Sequence, residues 1–97
     1  MISREHILNL LRQAKPDVEK QYHVRSMALF GSYSRNEQTE ASDVDLLVDF
    51  TEPIGGFAFV DFAETLEARL GLRVDVVPAD AVKPRYRQSI QGDLVYV

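Results

Sequence analysis

The stretch Gly31-Ser32 is followed by ten residues, Tyr33 to Ser42, and then by Asp43-Val44-Asp45. Two carboxylates one residue apart on a strand point the same way, about 7 Å apart along it. They lead straight into the apolar run Leu46-Leu47-Val48. Like charges beside a core repel unless a cation neutralises them. Oxygen-only ligands suit a hard cation such as Mg²⁺, which takes one or two protein carboxylates and completes its shell with water and phosphate oxygens. Two such ions about 4 Å apart stabilise both the attacking and the leaving oxygen in phosphoryl transfer. Asp75, on another short strand among apolar residues, is the best third carboxylate, because an unpaired charge there would be costly. A salt bridge to Arg73 or Arg25 is the competing reading of Asp75.

Gly31 and Ser32 fit beside such a metal. Glycine lets the backbone approach a triphosphate, and the Ser32 hydroxyl and nearby amides can donate to phosphate oxygens. A short helix starting after Ser32 would add positive potential at its N-terminus. Arg35, one turn further, could pair with a phosphate or with Glu37 or Glu40. Asp49 reads as a solvated strand end. His6 and His23 stand alone as surface residues, and Tyr33 reads as packing at the edge of the pocket. No Walker-type phosphate loop is present.

The elements that must position these groups follow from periodicity. Ser3 can cap a helix over 4–14, with Ile7, Leu8, Leu11 and Ala14 at helical spacing. Pro16 breaks it or restarts a short turn over 16–22. Residues 26–30 form a buried first strand ended by Gly31, and 36–42 form a polar loop. Asp43 to Phe50 is the second strand. Asp43, Asp45, Leu47 and Asp49 share one face, and Val44, Leu46, Val48 and Phe50 the other. Residues 52–56 turn. Phe57 to Leu70 is an amphipathic helix, with Phe59, Phe62, Ala63, Leu66 and Leu70 in its stripe and Gly71 as its stop. Arg73 to Val77 is a third strand ended by Pro78. Lys83-Pro84 opens a last helix to about Gln91, and Leu94 to Val97 is an apolar tail that must dock.

The chain has 97 residues, a net charge of −4 and 45% hydrophobic residues. That is one domain, 1–97, with a single core. The acidic balance argues against nucleic-acid binding by bulk electrostatics. The absence of cysteine excludes disulfides and thiolate zinc sites. The polar N-terminus is not a signal peptide, and no apolar run reaches membrane-spanning length. A cytoplasmic protein with no membrane association is the expectation.

The Gly-Ser, ten-residue, Asp-x-Asp pattern resembles the signature of the DNA polymerase β-like nucleotidyltransferase superfamily. The fuller stretch LFGSYSRNEQTEASDVDLLVDF, with the later RVDVV and KPRYRQSI segments, resembles its minimal nucleotidyltransferase branch, the MntA-like antitoxins. The resemblance implies an α/β (α+β) nucleotidyltransferase fold: a small mixed β-sheet with helices packed mainly on one side. It implies two Mg²⁺ ions held by Asp43, Asp45 and Asp75, and ATP phosphates held by Gly31 and Ser32. One carboxylate, Asp75 by choice, would also serve as general base. It further implies a type VII-like antitoxin that transfers AMP from ATP to a tyrosine of a cognate HEPN-domain RNase toxin. The alternative is a binding module that masks the toxin without chemistry. Asn36 stands where many relatives have glycine, and asparagine tolerates the left-handed backbone. Gln91-Gly92-Asp93 interrupts the last helix. A chain of this length leaves no room for an acceptor-binding domain, so a partner must present the acceptor. The tail and the first helix are candidate docking surfaces, and self-association could use them equally.

Overall fold

A computed structural model describes residues 2–97; Met1 lies outside it. The chain runs α1 (Arg4–Tyr22), β1 (Val24–Phe30), β2 (Val44–Phe50), α2 (Gly56–Leu70), β3 (Val74–Pro78), α3 (Pro84–Ile90) and β4 (Val95–Tyr96). Short 3₁₀ turns cover Ala79–Ala81 and Gln91–Asp93. The sheet order is β3-β2-β1-β4. Strand β1 is antiparallel to both β2 and β4, whereas β2 and β3 are parallel. The parallel pair needs a crossover, which α2 supplies.

Helix α1 begins where Ser3 accepts a hydrogen bond from the His6 amide, 3.1 Å long, which satisfies one of the free donors of the first turn. It does not break at Pro16, as the sequence reading had it, but continues to Tyr22 with Pro16 inside. The reason lies in the stripe. Ile7, Leu8, Leu11, Ala14, Val18 and Tyr22 are all buried, and the last two keep helical phase across the proline. Burying a large apolar side chain contributes about 1.5–3 kcal/mol. Val18 and Tyr22 together thus offset the roughly 3 kcal/mol that an interior proline costs. The helix ends at His23, which is left-handed at φ 59°. Its carbonyl accepts from the Thr51 amide at 2.8 Å, which ties the end of α1 to the end of β2.

The two faces of the sheet differ. On one, Met27, Leu29, Val44, Leu46 and Val48 pack with the stripes of α1 and α2 in the main core. On the other, Ala28, Phe30 and Leu47 meet Ile90 of α3 in a smaller cluster. Helices therefore pack mainly on one side, as the resemblance implies, but the aspartate face is not bare. In α2, Phe62, Leu66 and Leu70 are buried, and Gly71 closes the helix at φ 70°. Phe57 is almost wholly exposed at 97%. The C-terminal tail docks within the chain itself. Val95 and Tyr96 pair with Leu29 and Ala28, and the Val97 amide donates to the Met27 carbonyl at 3.0 Å. The tail is therefore an edge strand, and the exposed large apolar side chains among the described residues are Phe57 and Val60 of α2, Tyr86 of α3 and Tyr96 of the tail itself.

Pro16 is solvent-exposed, so replacing it with alanine should restore a helical hydrogen bond without disturbing the core. Pro16→Ala is expected to raise the unfolding free energy by about 1–3 kcal/mol in urea denaturation. Equal or lower stability would contradict this account of α1.

Candidate active site

Strand pairing collects the site. Phe30 of β1 lies opposite Asp45 of β2, and Asp45 lies opposite Asp75 of β3. Directly paired residues share a face, so Phe30, Asp45 and Asp75 form one row across three strands. Asp43 falls just before β2, where the Val44 amide donates to the Arg73 carbonyl at 2.9 Å. The strand thus starts one residue later than the sequence pattern suggests.

At the end of β1 the chain turns sharply, with Gly31 at φ 77°. A Cβ at Gly31 would overlap Asp45 Oδ2 and lie 3.1 Å from its Cγ. Only glycine lets the backbone pass this close to the carboxylate. Residues Ser32 to Asn36 then make one turn rather than a helix. The turn closes with Glu37 N to Ser32 O at 2.8 Å and Asn36 N to Tyr33 O at 3.3 Å. Asn36 is left-handed at φ 59°. This is the hydrogen-bond pattern that ends helices, with asparagine in the usual glycine position. A single turn has little macrodipole, so the helix-derived potential anticipated after Ser32 is not available. The amides of Ser32, Tyr33 and Ser34 nevertheless donate to no backbone carbonyl among the described residues, which leaves them for an anion.

Long-range contacts pin this turn. Tyr33 is buried in the main core. Arg4 Nη1 donates to the Ser34 carbonyl at 3.0 Å, and the buried Ser34 hydroxyl donates to the Asp93 carbonyl. Arg35 is held by Glu37 and by Asp93, each at 2.7 Å. In this arrangement its guanidinium is engaged by carboxylates, including the expected Glu37. Arg4, Ser34 and Asp93 escaped the sequence reading, since they act across 30 to 59 residues and no local pattern marks them.

The carboxylates are under electrostatic load. Burial first, then the charges of Asp75 and Asp43, push the Asp45 pKa up to about 6, while Arg35 opposes the shift. Asp43 Oδ1 is buried without a hydrogen-bond donor. Arg73 Nε lies 3.2 Å away but is not aligned for a hydrogen bond. Arg25 pairs with Asp49 at 3.1 Å. Neither arginine is bonded to Asp75, which has no ion-pair partner among the described residues. Asp75 is exposed, because β3 is an edge strand of the sheet. The expectation that it is embedded and costly to leave unpaired therefore does not hold, and its place in the row rests on register alone. Among the described residues, no three acidic or histidine side chains lie close enough to chelate an ion as they stand. His6 and His23 are exposed; His23 pairs with Glu52 at 3.2 Å. A cavity of about 520 Å³ lies at the opposite end of β2, lined by Asp49, Phe50, Ile54, Phe59, Pro78 and Asp80. It is remote from the carboxylate row.

A small mixed sheet carrying an acidic row beside a glycine turn defines a nucleotidyl-transfer scaffold. Residues 11–97 match the model of the nucleotidyltransferase domain family, and the chain belongs to that family of enzymes. It is 40% identical to the protein adenylyltransferase MntA of Thermococcus cleftensis, over all of this chain and 98% of that one. It superposes on a solved minimal nucleotidyltransferase with a TM-score of 0.80 at 31% identity, covering 97% of this chain and 95% of that one. It also matches a chain of a crystallised MntA toxin–antitoxin complex with a TM-score of 0.67 at 25% identity, covering 100% of this chain and 72% of that one.

The raised Asp45 pKa sets a pH signature. The native state holds a proton on Asp45 up to about pH 6, whereas an ordinary aspartate loses it near 3.8. Between these values the native state binds more protons than the unfolded chain, so stability falls as pH rises. In metal-free protein, the unfolding free energy is expected to drop from about pH 4 to about pH 6. Asp45→Asn should flatten that drop, and an unchanged slope in the variant would contradict the assignment.

Proposed function

We infer that the protein transfers AMP from ATP to a tyrosine hydroxyl of a HEPN-family RNase toxin and thereby acts as its antitoxin. The observation that carries this reading is the Asp45–Asp75 register with the Gly31 backbone packed against Asp45. The relative that acts on protein, and the fold neighbour crystallised in a toxin–antitoxin complex, support protein as acceptor and a toxin as partner.

The donor set fits Mg²⁺. Asp43 offers a buried oxygen with no hydrogen-bond donor, and the proton affinity of Asp45 reflects negative charge that a cation relieves. Mg²⁺ needs only one or two carboxylates from the protein, so Asp43 and Asp45 would hold it, with the exposed Asp75 free to rotate in. When bound, the metal neutralises phosphate charge and makes the α-phosphorus more electrophilic. The remaining work falls to the chain. Gly31 lets the backbone pass against the Asp45 carboxylate, and the free amides and hydroxyl around Ser32 would donate to phosphate oxygens. Arg35 would exchange a carboxylate partner for a phosphate, a charge-assisted contact of the same kind. Asp75, which is exposed, would accept the phenolic proton of an acceptor tyrosine presented from outside.

Asp43→Asn combined with Asp45→Asn is expected to abolish AMP transfer, read by intact mass of the toxin after incubation with ATP and Mg²⁺, while the fold survives. Asp75→Asn should lower kcat by about 10²–10⁴-fold, the usual contribution of a general base. Co-expression separates catalysis from masking. Cells carrying toxin and the double variant should lose protection; full protection would mean that binding alone neutralises the toxin.

A further inference from the structure

The chain has four tyrosines. Tyr22 and Tyr33 are buried, whereas Tyr86 and Tyr96 are about half exposed, at 45% and 54%. Of the exposed pair, Tyr86 sits at the carboxylate row. Its ring meets Phe30 edge-on, with centroids 6.4 Å apart and planes at 85°. Phe30 is the partner of Asp45, and Asp45 of Asp75. Helix α3 therefore lays Tyr86 over the same face and the same row as the two carboxylates. Tyr96 lies elsewhere. It stands opposite Ala28, one row further along the sheet and two strands from β2, with its hydroxyl 3.5 Å from Arg87 Nη2. The Tyr86 hydroxyl has no hydrogen-bond partner among the described residues. A phenol held by its ring, with a free hydroxyl, beside two carboxylates, has the attributes of an acceptor.

We propose that Tyr86 is an internal acceptor, so that the protein transfers AMP from ATP to its own Tyr86 hydroxyl in cis. This rests on reading the protein as a protein adenylyltransferase. In the step, a lone pair of Tyr86 Oη forms a bond to the α-phosphorus. The bond from that phosphorus to the oxygen bridging the α- and β-phosphates breaks, and its electron pair leaves with pyrophosphate. The phenolic proton passes to the Asp75 carboxylate. The product places an adenylate where an outside tyrosine would enter, which makes the modification self-limiting for the toxin reaction.

The test is intact mass and peptide mapping of the wild-type protein incubated alone with ATP and MgCl₂, beside a parallel sample containing the toxin. One AMP per chain on Tyr86 is expected, at a rate independent of protein concentration. The adduct should disappear in Tyr86→Phe and persist in Tyr96→Phe. An adduct on another residue, or a rate proportional to protein concentration, would overturn the proposal. Modification of the toxin with none of the protein itself would overturn it while leaving the adenylyltransferase reading intact. No AMP on either protein would overturn both.

Discussion

Asp45 cannot lower its charge by moving away from its neighbours. Asp43 lies two residues before it, just ahead of β2, Asp75 faces it across the parallel pair, and the Gly31 backbone fills the space where its carboxylate could turn aside. Burial and repulsion act in the same direction, so the group keeps its proton to about pH 6. The rest of the architecture serves to hold this arrangement. Strand β2 must lie between β1 and β3 for Phe30, Asp45 and Asp75 to align. The parallel β2–β3 pair requires α2 as its crossover, and the stripe of α2 then has to be buried against α1. The continuity of α1 through Pro16 follows from the same need for apolar cover.

The two faces of the sheet divide the labour. The face under α1 and α2 carries the main core and supplies stability. The opposite face carries the acidic row, and only its far part is closed by Ile90 of α3. That partial cover explains why Asp45 is half-buried while Asp75, one strand outward, is exposed. It also explains how a tyrosine from α3 comes to lie against the row. The turn after β1 is fastened from both chain ends, by Arg4 near the start and Asp93 near the finish. So short a turn needs such anchoring, since one turn of backbone does not hold its shape alone.

Much of this was legible in the sequence. The alternation from Val44 to Phe50 placed Asp45 and Leu47 opposite Val44, Leu46 and Val48, as the structure does. The stripe in α2 and the left-handed role of Asn36 were also readable, because each is a local property of backbone and side-chain period. Pro16 misled, because local propensity was outweighed by burial that only the tertiary structure provides. The tail was read as a segment that must dock, and it does, but its partner was not legible because pairing with a strand more than sixty residues earlier leaves no local mark. The engagement of Arg35 by Asp93 and the cover of Phe30 by Tyr86 were invisible for the same reason. Burial of Asp75 was inferred from apolar neighbours, but an edge strand exposes the face that no helix covers.

The direct measurement of the central claim is the titration of the Asp45 side-chain carboxyl by ¹³C NMR, with and without Mg²⁺. In metal-free protein its midpoint should lie near pH 6, as burial and its two acidic neighbours dictate. Saturating Mg²⁺ should move that midpoint below the ordinary carboxylate range, because a bound cation favours the ionised form. A midpoint that Mg²⁺ leaves unchanged would contradict the account, since the repulsion would then serve no cation and the acidic row would not be the catalytic centre.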